Sequence, residues 1–279
     1  MNVVRVAAWG KFDWLRHGFS TRAGGHSTVY HGKTGAKDVG EPGESAADLN
    51  LGFTKEDAVE LVERNRADFL SAVAGVASHG AASEGVAELA TVRQVHGTCV
   101  QVVRQGGGAG EADGLITQTA GVMLGIQVAD CVPVLLADTR QRVVAALHAG
   151  WRGTTAGIVN QGIAAMRSEC GARLEDLTAA VGPAIGACCY TIGDEVHESF
   201  TRRYAYATTL FAQSQDGLHL DLAEANRRQL LDAGVRASEI TLVGECTACT
   251  RIGGRRKYFS HRAEHGFTGR AMGMIGIQH

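Results

Sequence analysis

The run GVMLGIQVADCVPVLLADTRQRVVAALHAGWRGTTAG, residues 121–157, decides the fold. Within it VMLGIQVAD, VPVLLAD and RVVAALHAG are short apolar runs parted by Gly or Asp, which read as successive strands. The spacing then switches: TTAGIVNQGIAAMRSEC at 154–170 repeats its apolar residues at helical intervals. Upstream, TVRQVHG, CVQVV and GLIT extend the strand-like texture from residue 91. Before them, KEDAVELVERNRADFLSAV (55–73) sets Val59, Leu61, Val62, Phe69 and Leu70 at near-helical spacing among charges, which predicts a helix. Downstream, AAVGPAIG (179–186) reads as strand and turn, and DEVHESFTRRYA (194–205) as helix. HLDLAEANRRQLLDAG (219–234) is an amphipathic helix with Asp221 as N-cap, Glu224 completing a capping box and Gly234 as its stop. Strands are expected at 239–244, 257–261 and 270–277. Strands and helices interleaved to the end imply a layered α/β domain with a mixed sheet. No repeat or linker divides residues 1–279, so one domain is expected. Two glycine-rich polar stretches, 24–49 and 76–86, read as loops, the first a long surface insertion over 26–47.

Composition narrows the partners. Of 279 residues, 45% are hydrophobic and 20% charged, and the formal net charge of -2 offers no electrostatic case for nucleic acid or an anionic membrane. The opening MNVVRVAAWGKFDW meets Lys11 and Asp13 too early for a signal peptide, and no window approaches the roughly 20 apolar residues of a membrane span. A cytoplasmic location is the expectation. Seven cysteines, an odd number, then point to reduced thiols.

Three motifs carry candidate chemistry: RQVHG (93–97), VADCVPVLLAD (128–138) and LHAGWRGTTAG (147–157). Each sets one borderline-soft ligand, His96, Cys131 or His148, at a strand end beside small residues. Imidazole and thiolate are the ligands zinc prefers, and three of them with an open fourth position is the catalytic pattern. Copper is the lesser alternative. Spacing alone leaves two readings open, because no H-x-x-x-H or C-x-x-C links the three. They are metal ligands, or they are two core histidines and a buried thiol. LHAGWRGTTAG adds a strand-to-helix turn with Gly150 and Gly153, the helix starting near Thr154. A helix N-terminus suits phosphate, and Arg152 could clamp the same anion; the bland alternative pairs Arg152 with a surface carboxylate. CTAC at 246–249 is a C-x-x-C, but a structural metal would need a second ligand pair. Cys188–Cys189 could supply one only if adjacent side chains projected the same way, so Cys249 reads as a plain structural residue.

Taken together, HGFSTRAGG (17–25), LNLG (49–52), NR (65–66), RQVHG, ADGLIT (112–117), ADCVPVLLAD, ALHAGWRGT, VGPAIGACCYTIGDEV (181–196), ECT (245–247), FSHR (259–262) and TGRAM (268–272) resemble the YfiH-like laccase-domain family. The motifs run in family order over nearly the whole chain. The sequence departs from the pattern in its long 26–47 loop, in an expanded 75–88 stretch and in His261, where Tyr is common.

The resemblance implies an α/β sandwich with a mixed sheet and zinc ligands at His96, Cys131 and His148. It implies a purine nucleoside phosphorylase, acting on adenosine, inosine or methylthioadenosine with phosphate and deaminating adenosine as a side reaction. Arg22, Asn50, Cys246 and Arg262 fall in family-like motifs and are expected at the substrate, as is Arg270. Asp130 is a candidate proton carrier or a residue that orients a ligand histidine, while Asp113 reads as a turn residue. Other labels attached to the family imply peptidoglycan editing or polyphenol oxidation. The second needs histidine pairs, and none of the 11 histidines forms an H-x-H. A Cys131/His148 cysteine hydrolase is the remaining competitor.

Overall fold

The computed structural model describes residues 1–30, 47–75 and 87–278. Most of the 26–47 insertion and the expanded 75–88 stretch lie outside the described residues. The start of that insertion departs from the loop expectation, because Ala23–Ser27 forms a strand.

The apolar runs of 121–157 become strands Val122–Val128, Val132–Asp138 and Val143–Ala149. In the last two every residue is buried, so their apolar character is continuous, not alternating. The reason is a pair of stacked sheets. One runs in the order Val3–Val4, Leu15–Ser20, Ala271–Ile277, Val122–Val128, Glu88–Arg93, Gly107–Glu111. The other runs Ile240–Leu242, Leu177–Val181, Val132–Asp138, Val143–Ala149, Gly114–Thr117, Val100–Val102. Both mix parallel and antiparallel pairs, so the single mixed sheet expected from sequence is in fact two.

Alternate residues of one strand feed different cores. Leu135, Ala137, Val144 and Ala146 pack between the sheets with Leu124, Ile126 and Ile275. Val134, Leu136, Ala145 and Leu147 face outward onto Ile158, Ile163 and Met166 of helix Ile158–Cys170 and Leu230 of helix Leu222–Asp232. On the far side Met123, Met272 and Met274 pack against Phe69 and Val73 of helix Val59–Ala74. The result is a single-domain mixed α/β sandwich with helices outside both sheets. No helix among the described residues is long and apolar enough to cross a membrane.

Local boundaries moved for identifiable reasons. The helix expected at 154–170 begins at Trp151 and breaks at Gly157, whose φ of 90° ends Trp151–Ala156 and starts Ile158–Cys170. The Asp221 cap holds, accepting the Glu224 amide at 2.8 Å, but Glu224 turns to Arg227 and Arg228 instead of closing the capping box. Residues 217–220 pair in a small sheet, so that helix starts later than its pattern suggested. The expected strand at 257–261 is irregular chain following a short Arg251–Ile252, Arg255–Arg256 hairpin.

One core contact predicts a pH response. His17 is buried edge-on to Trp9, and its Nε2 accepts the Val6 amide at 2.9 Å. Burial, then the charges of Arg5 and Arg16, push it from 6.5 down to about 4. The unfolded chain therefore binds this proton more readily. The stability tied to neutral His17 is complete above 6.5 and is lost as pH falls from 6.5 to about 4. The thermal midpoint should fall over that window, and less steeply in His17→Gln. Parallel pH curves for the two proteins would refute the assignment.

Candidate metal centre

Strands Glu88–Arg93, Gly107–Glu111 and Val122–Val128 run parallel, so their C-terminal ends share one end of the sandwich. At that end each hands the chain to the other sheet, through residues 94–99, 112–113 and 129–131. These crossovers carry His96, Asp113 and Cys131. His148 arrives there from strand Val143–Ala149, which pairs antiparallel with Val132–Asp138. Four residues distant in sequence thus meet where the chain changes sheets.

The Nε2/Nδ1 and Sγ atoms that His96, Cys131 and His148 can offer a metal lie within 4.8 Å of one another. Cys131 Sγ is 4.0 Å from His96 Nε2, and the two imidazoles meet edge-on at 4.8 Å. Around a tetrahedral zinc, bond lengths of about 2.1 and 2.3 Å would separate N from S by roughly 3.6 Å, so the trio fits with small adjustment. His148 is buried, and its Nδ1 is bonded to Asp113 Oδ1 at 2.8 Å, which leaves Nε2 for the centre. Asp113, fully buried, also accepts the amides of Val95, His96 and Gly97 at 3.2, 2.9 and 2.6 Å. Burial alone would raise its carboxyl, but His148 and the Gly97 and His96 amides hold it below the usual carboxylate range. One carboxylate therefore fixes both histidines. Read from sequence as a turn residue, Asp113 was overlooked; its position in the ADG that precedes a strand was the available signal.

Charge follows the geometry. Burial would push the Cys131 thiol up, yet hydrogen bonds from His148 and His96 outweigh it and bring the thiol down to about 6. Burial would likewise lower His148, but Asp113 and Cys131 raise it to about 9. The pair is poised as thiolate and imidazolium, the form in which sulfur is a ligand or nucleophile. Backbone strain marks the same place. His96 has φ 61° and Asp130 φ 87°, left-handed values that cost non-glycine residues on the order of 1–3 kcal/mol and cluster at functional sites. Gly150 is needed at the centre: a Cβ there would sit 3.0 Å from both Cys131 Sγ and His96 Cδ2.

The centre opens into a cavity of about 580 Å³ whose walls include Ile185, Tyr190, His261, Arg262 and Arg270. Burial, then the Cys131 charge, push the Tyr190 phenol up to about 12. Arg262 donates Nη1 to Thr191 O at 2.7 Å and lies over the Tyr190 ring. Asp130 also lines the cavity, but its oxygens accept Thr247 Oγ1, Ser260 Oγ and the Arg262 amide at 2.6–2.7 Å. These bonds tie the carboxylate to the Arg262 turn.

Several expected substrate residues lie elsewhere. Arg22 is buried, ion-paired to Asp48 Oδ1 at 3.1 Å and Glu264 Oε1 at 2.5 Å. Asn50, also buried, bonds Asp57, Gly52 and the Arg270 amide. Arg152 is surface-exposed, stacked on Trp151 and 3.4 Å from Glu195, so the bland alternative describes it. Thr154 turns inward to Asn226, and Gly153 packs near the Gly97 carbonyl. Cys246 belongs to a separate cluster with Cys188, Cys189 and Cys249, all four sulfurs within 4.8 Å of one another. The adjacent cysteines do project together, contrary to expectation, because a tight turn folds the Cys189 and Tyr190 amides back onto Gly186 O.

An Asp113→Asn change keeps the side-chain shape but removes the charge that orients His148. Zinc affinity should fall about 10–100-fold with the fold retained, as read by competition with a chromophoric chelator. Unchanged affinity would remove Asp113 from the centre.

Comparison with known proteins shows the family of the chain. The sequence profile of the multi-copper polyphenol oxidoreductase laccase family matches residues 16–278. The purine nucleoside phosphorylase YlmD of Geobacillus stearothermophilus is 35% identical over 277 residues, covering 94% of each chain. The adenosine deaminase RL5, from an unknown prokaryotic organism, is 37% identical over 139 residues, 49% of this chain and 53% of that one. The crystal structure of Bacillus licheniformis hypothetical protein YfiH superposes with a TM-score of 0.81 at 27% identity, covering 99% of this chain and 96% of that one.

Proposed function

We propose that the chain, which belongs to the multi-copper polyphenol oxidoreductase laccase family, is a zinc-dependent purine nucleoside phosphorylase with adenosine deaminase side activity. One observation carries this reading: His96, Cys131 and His148 converge on the wall of a cavity large enough for a nucleoside. Its volume of about 580 Å³ lies within the roughly 300–1,000 Å³ of small-molecule sites. The names of the relatives supply only the substrate class, a purine nucleoside together with phosphate; within that class we propose adenosine, inosine and methylthioadenosine. The absence of any H-x-H pair argues against copper-cluster oxidation.

Bound zinc would supply Lewis acidity at the open position. In phosphorolysis a phosphate oxygen bonds to ribose C1′ while the C1′–N9 bond breaks, and the base leaves with the electron pair and takes up a proton. Arg262 and Arg270, on the cavity wall, can hold the phosphate through charge-assisted hydrogen bonds. Ile185 and the Tyr190 ring offer the purine an apolar face, and the Tyr190 phenol stays protonated as a donor. Asp113 keeps His148 aimed at the centre, and Asp130 holds the Arg262 turn against the cavity.

Zinc-replete protein incubated with adenosine and phosphate should release adenine and ribose 1-phosphate in equal amounts. No base release from adenosine, inosine or methylthioadenosine would overturn the reading. A second reading rests on the order Asp113–His148–Cys131, in which Asp113 bonds His148 and the Cys131 sulfur lies within 4.8 Å of the imidazole, an arrangement that resembles a cysteine hydrolase triad. One thiolate cannot serve as nucleophile and tight ligand together, and His96 as third ligand favours metal. Zinc-free protein that turns over an amide and is inactivated by alkylation of Cys131 would reverse that preference.

A further inference from the structure

The cysteine cluster outside the cavity has the makings of a second site. Cys246 and Cys249 form a C-x-x-C turn just after Glu245, and Cys188 and Cys189 occupy the turn after Ile185. All four sulfurs lie within 4.8 Å of one another, with Cys188 Sγ and Cys249 Sγ at 3.6 Å. A tetrahedral zinc with bonds of about 2.3 Å to sulfur requires edges of roughly 3.8 Å; one edge is close to that and all lie within 4.8 Å. Backbone amides converge on Cys246 Sγ: Gly186 N donates at 3.2 Å, and Ala248 N and Cys249 N donate to it as well. Such donors stabilise a thiolate and leave its remaining lone pairs for a cation. Gly186 permits this approach, since a Cβ there would meet Cys188 Sγ and Cys246 Cβ at 3.3 Å. All seven cysteines are free thiols, so no disulfide competes for these sulfurs.

We propose that Cys188, Cys189, Cys246 and Cys249 bind a second, structural zinc ion in a closed all-sulfur site. Four thiolates select a soft or borderline cation, and a closed tetrahedral set is the structural zinc pattern. Sulfurs this close enclose one ion, whereas a polynuclear iron–sulfur cluster would hold its ligands farther apart. The ion would join two turns that reach the cavity by separate routes. One carries Ile185 and Tyr190 on the cavity wall, and the other carries Thr247, whose hydroxyl donates to Asp130 at 2.7 Å. The turns already share hydrogen bonds from Ala184 N to Glu245 O and from Thr247 N to Ala184 O. Zinc would thus fasten the cavity wall without touching substrate. This site shares no residue with the His96, Cys131, His148 centre, so the two can be tested apart.

Elemental analysis of protein purified without added metal should find roughly two zinc ions per chain, falling to roughly one in His148→Ala. The ion kept by His148→Ala should show an all-sulfur shell by zinc X-ray absorption. Cys188→Ser/Cys249→Ser should lose that ion and melt at lower temperature while the mixed nitrogen–sulfur centre stays loaded. If the double variant does not fold, the absorption spectrum of His148→Ala decides the matter alone. His148→Ala with no zinc and four titratable thiols in these positions, or with a Cys188–Cys249 disulfide by mass spectrometry, would overturn the proposal.

Discussion

His148→Ala should lower phosphorolysis by on the order of 10³-fold or more, and the catalytic zinc should be lost with it. The size follows from what the side chain does. His148 donates through Nδ1 to Asp113 and is the only buried member of the trio, so it is the ligand whose position the fold controls most tightly. Lewis-acid stabilisation of a transition state is worth several kcal/mol, and about 4 kcal/mol at 1.4 kcal/mol per decade is roughly 10³-fold. His96→Ala should show a smaller loss in zinc affinity, since His96 is exposed and hangs on a strained loop. Steady-state kinetics with adenosine and phosphate, paired with metal content, read both effects. A His148→Ala protein with wild-type turnover would exclude the centre from the reaction.

Arg22→Ala should destabilise the fold by about 3–5 kcal/mol, the usual result of removing one partner from a buried ion pair. Arg22 pairs with Asp48 through Nε and Nη2, with Glu264 through Nη1, caps the Tyr30 carbonyl and lies over Phe259. Asp48 and Glu264 are both almost fully buried. Arg255 would still face Asp48 at 3.1 Å, but Glu264 would lose its guanidinium. For a chain of this size the midpoint should fall by on the order of 10 °C. Arg22→Lys should recover only part of it, because a point charge cannot reproduce the two-sided fork. Calorimetry and urea titration measure the change. An unaltered midpoint, with phosphorolysis lost, would restore Arg22 to the substrate role that its motif suggested.

Arg22 shows why motif position and chemical role came apart. From sequence it was an arginine in a loop-end motif, as consistent with a ligand contact as with a core ion pair. Its carboxylates lie 26 and 242 residues away, a separation that no local pattern reveals. Asp113 failed in the opposite direction. It looked like a turn residue because its neighbours are small, and its bond to His148 spans two strands of the second sheet. Cys188 and Cys189 were discounted on a rule about adjacent side chains that one turn at Gly186 overrides.

The central strands, the main helices and the Asp221 cap were legible because each follows from spacing within about a dozen residues, where backbone geometry and amphipathicity act; the strand expected at 257–261 and the loop expected from residue 24, where Ala23–Ser27 is a strand, were misread. The segments 132–138 and 143–149 were legible as strands from their apolar runs. The number of sheets was not, because an unbroken run records that both faces are covered but not by what. His96, Cys131 and His148 could be picked as ligand types at strand ends, yet their spacing left a core histidine equally acceptable. Only the tertiary structure brings the three together, by running three parallel strands to one end of a sandwich where the chain crosses sheets and a buried carboxylate holds the His148 imidazole and the His96 amide. Sequence determined which elements form, since that is local chemistry; which distant side chains meet depended on how two sheets stack, a property of the whole chain.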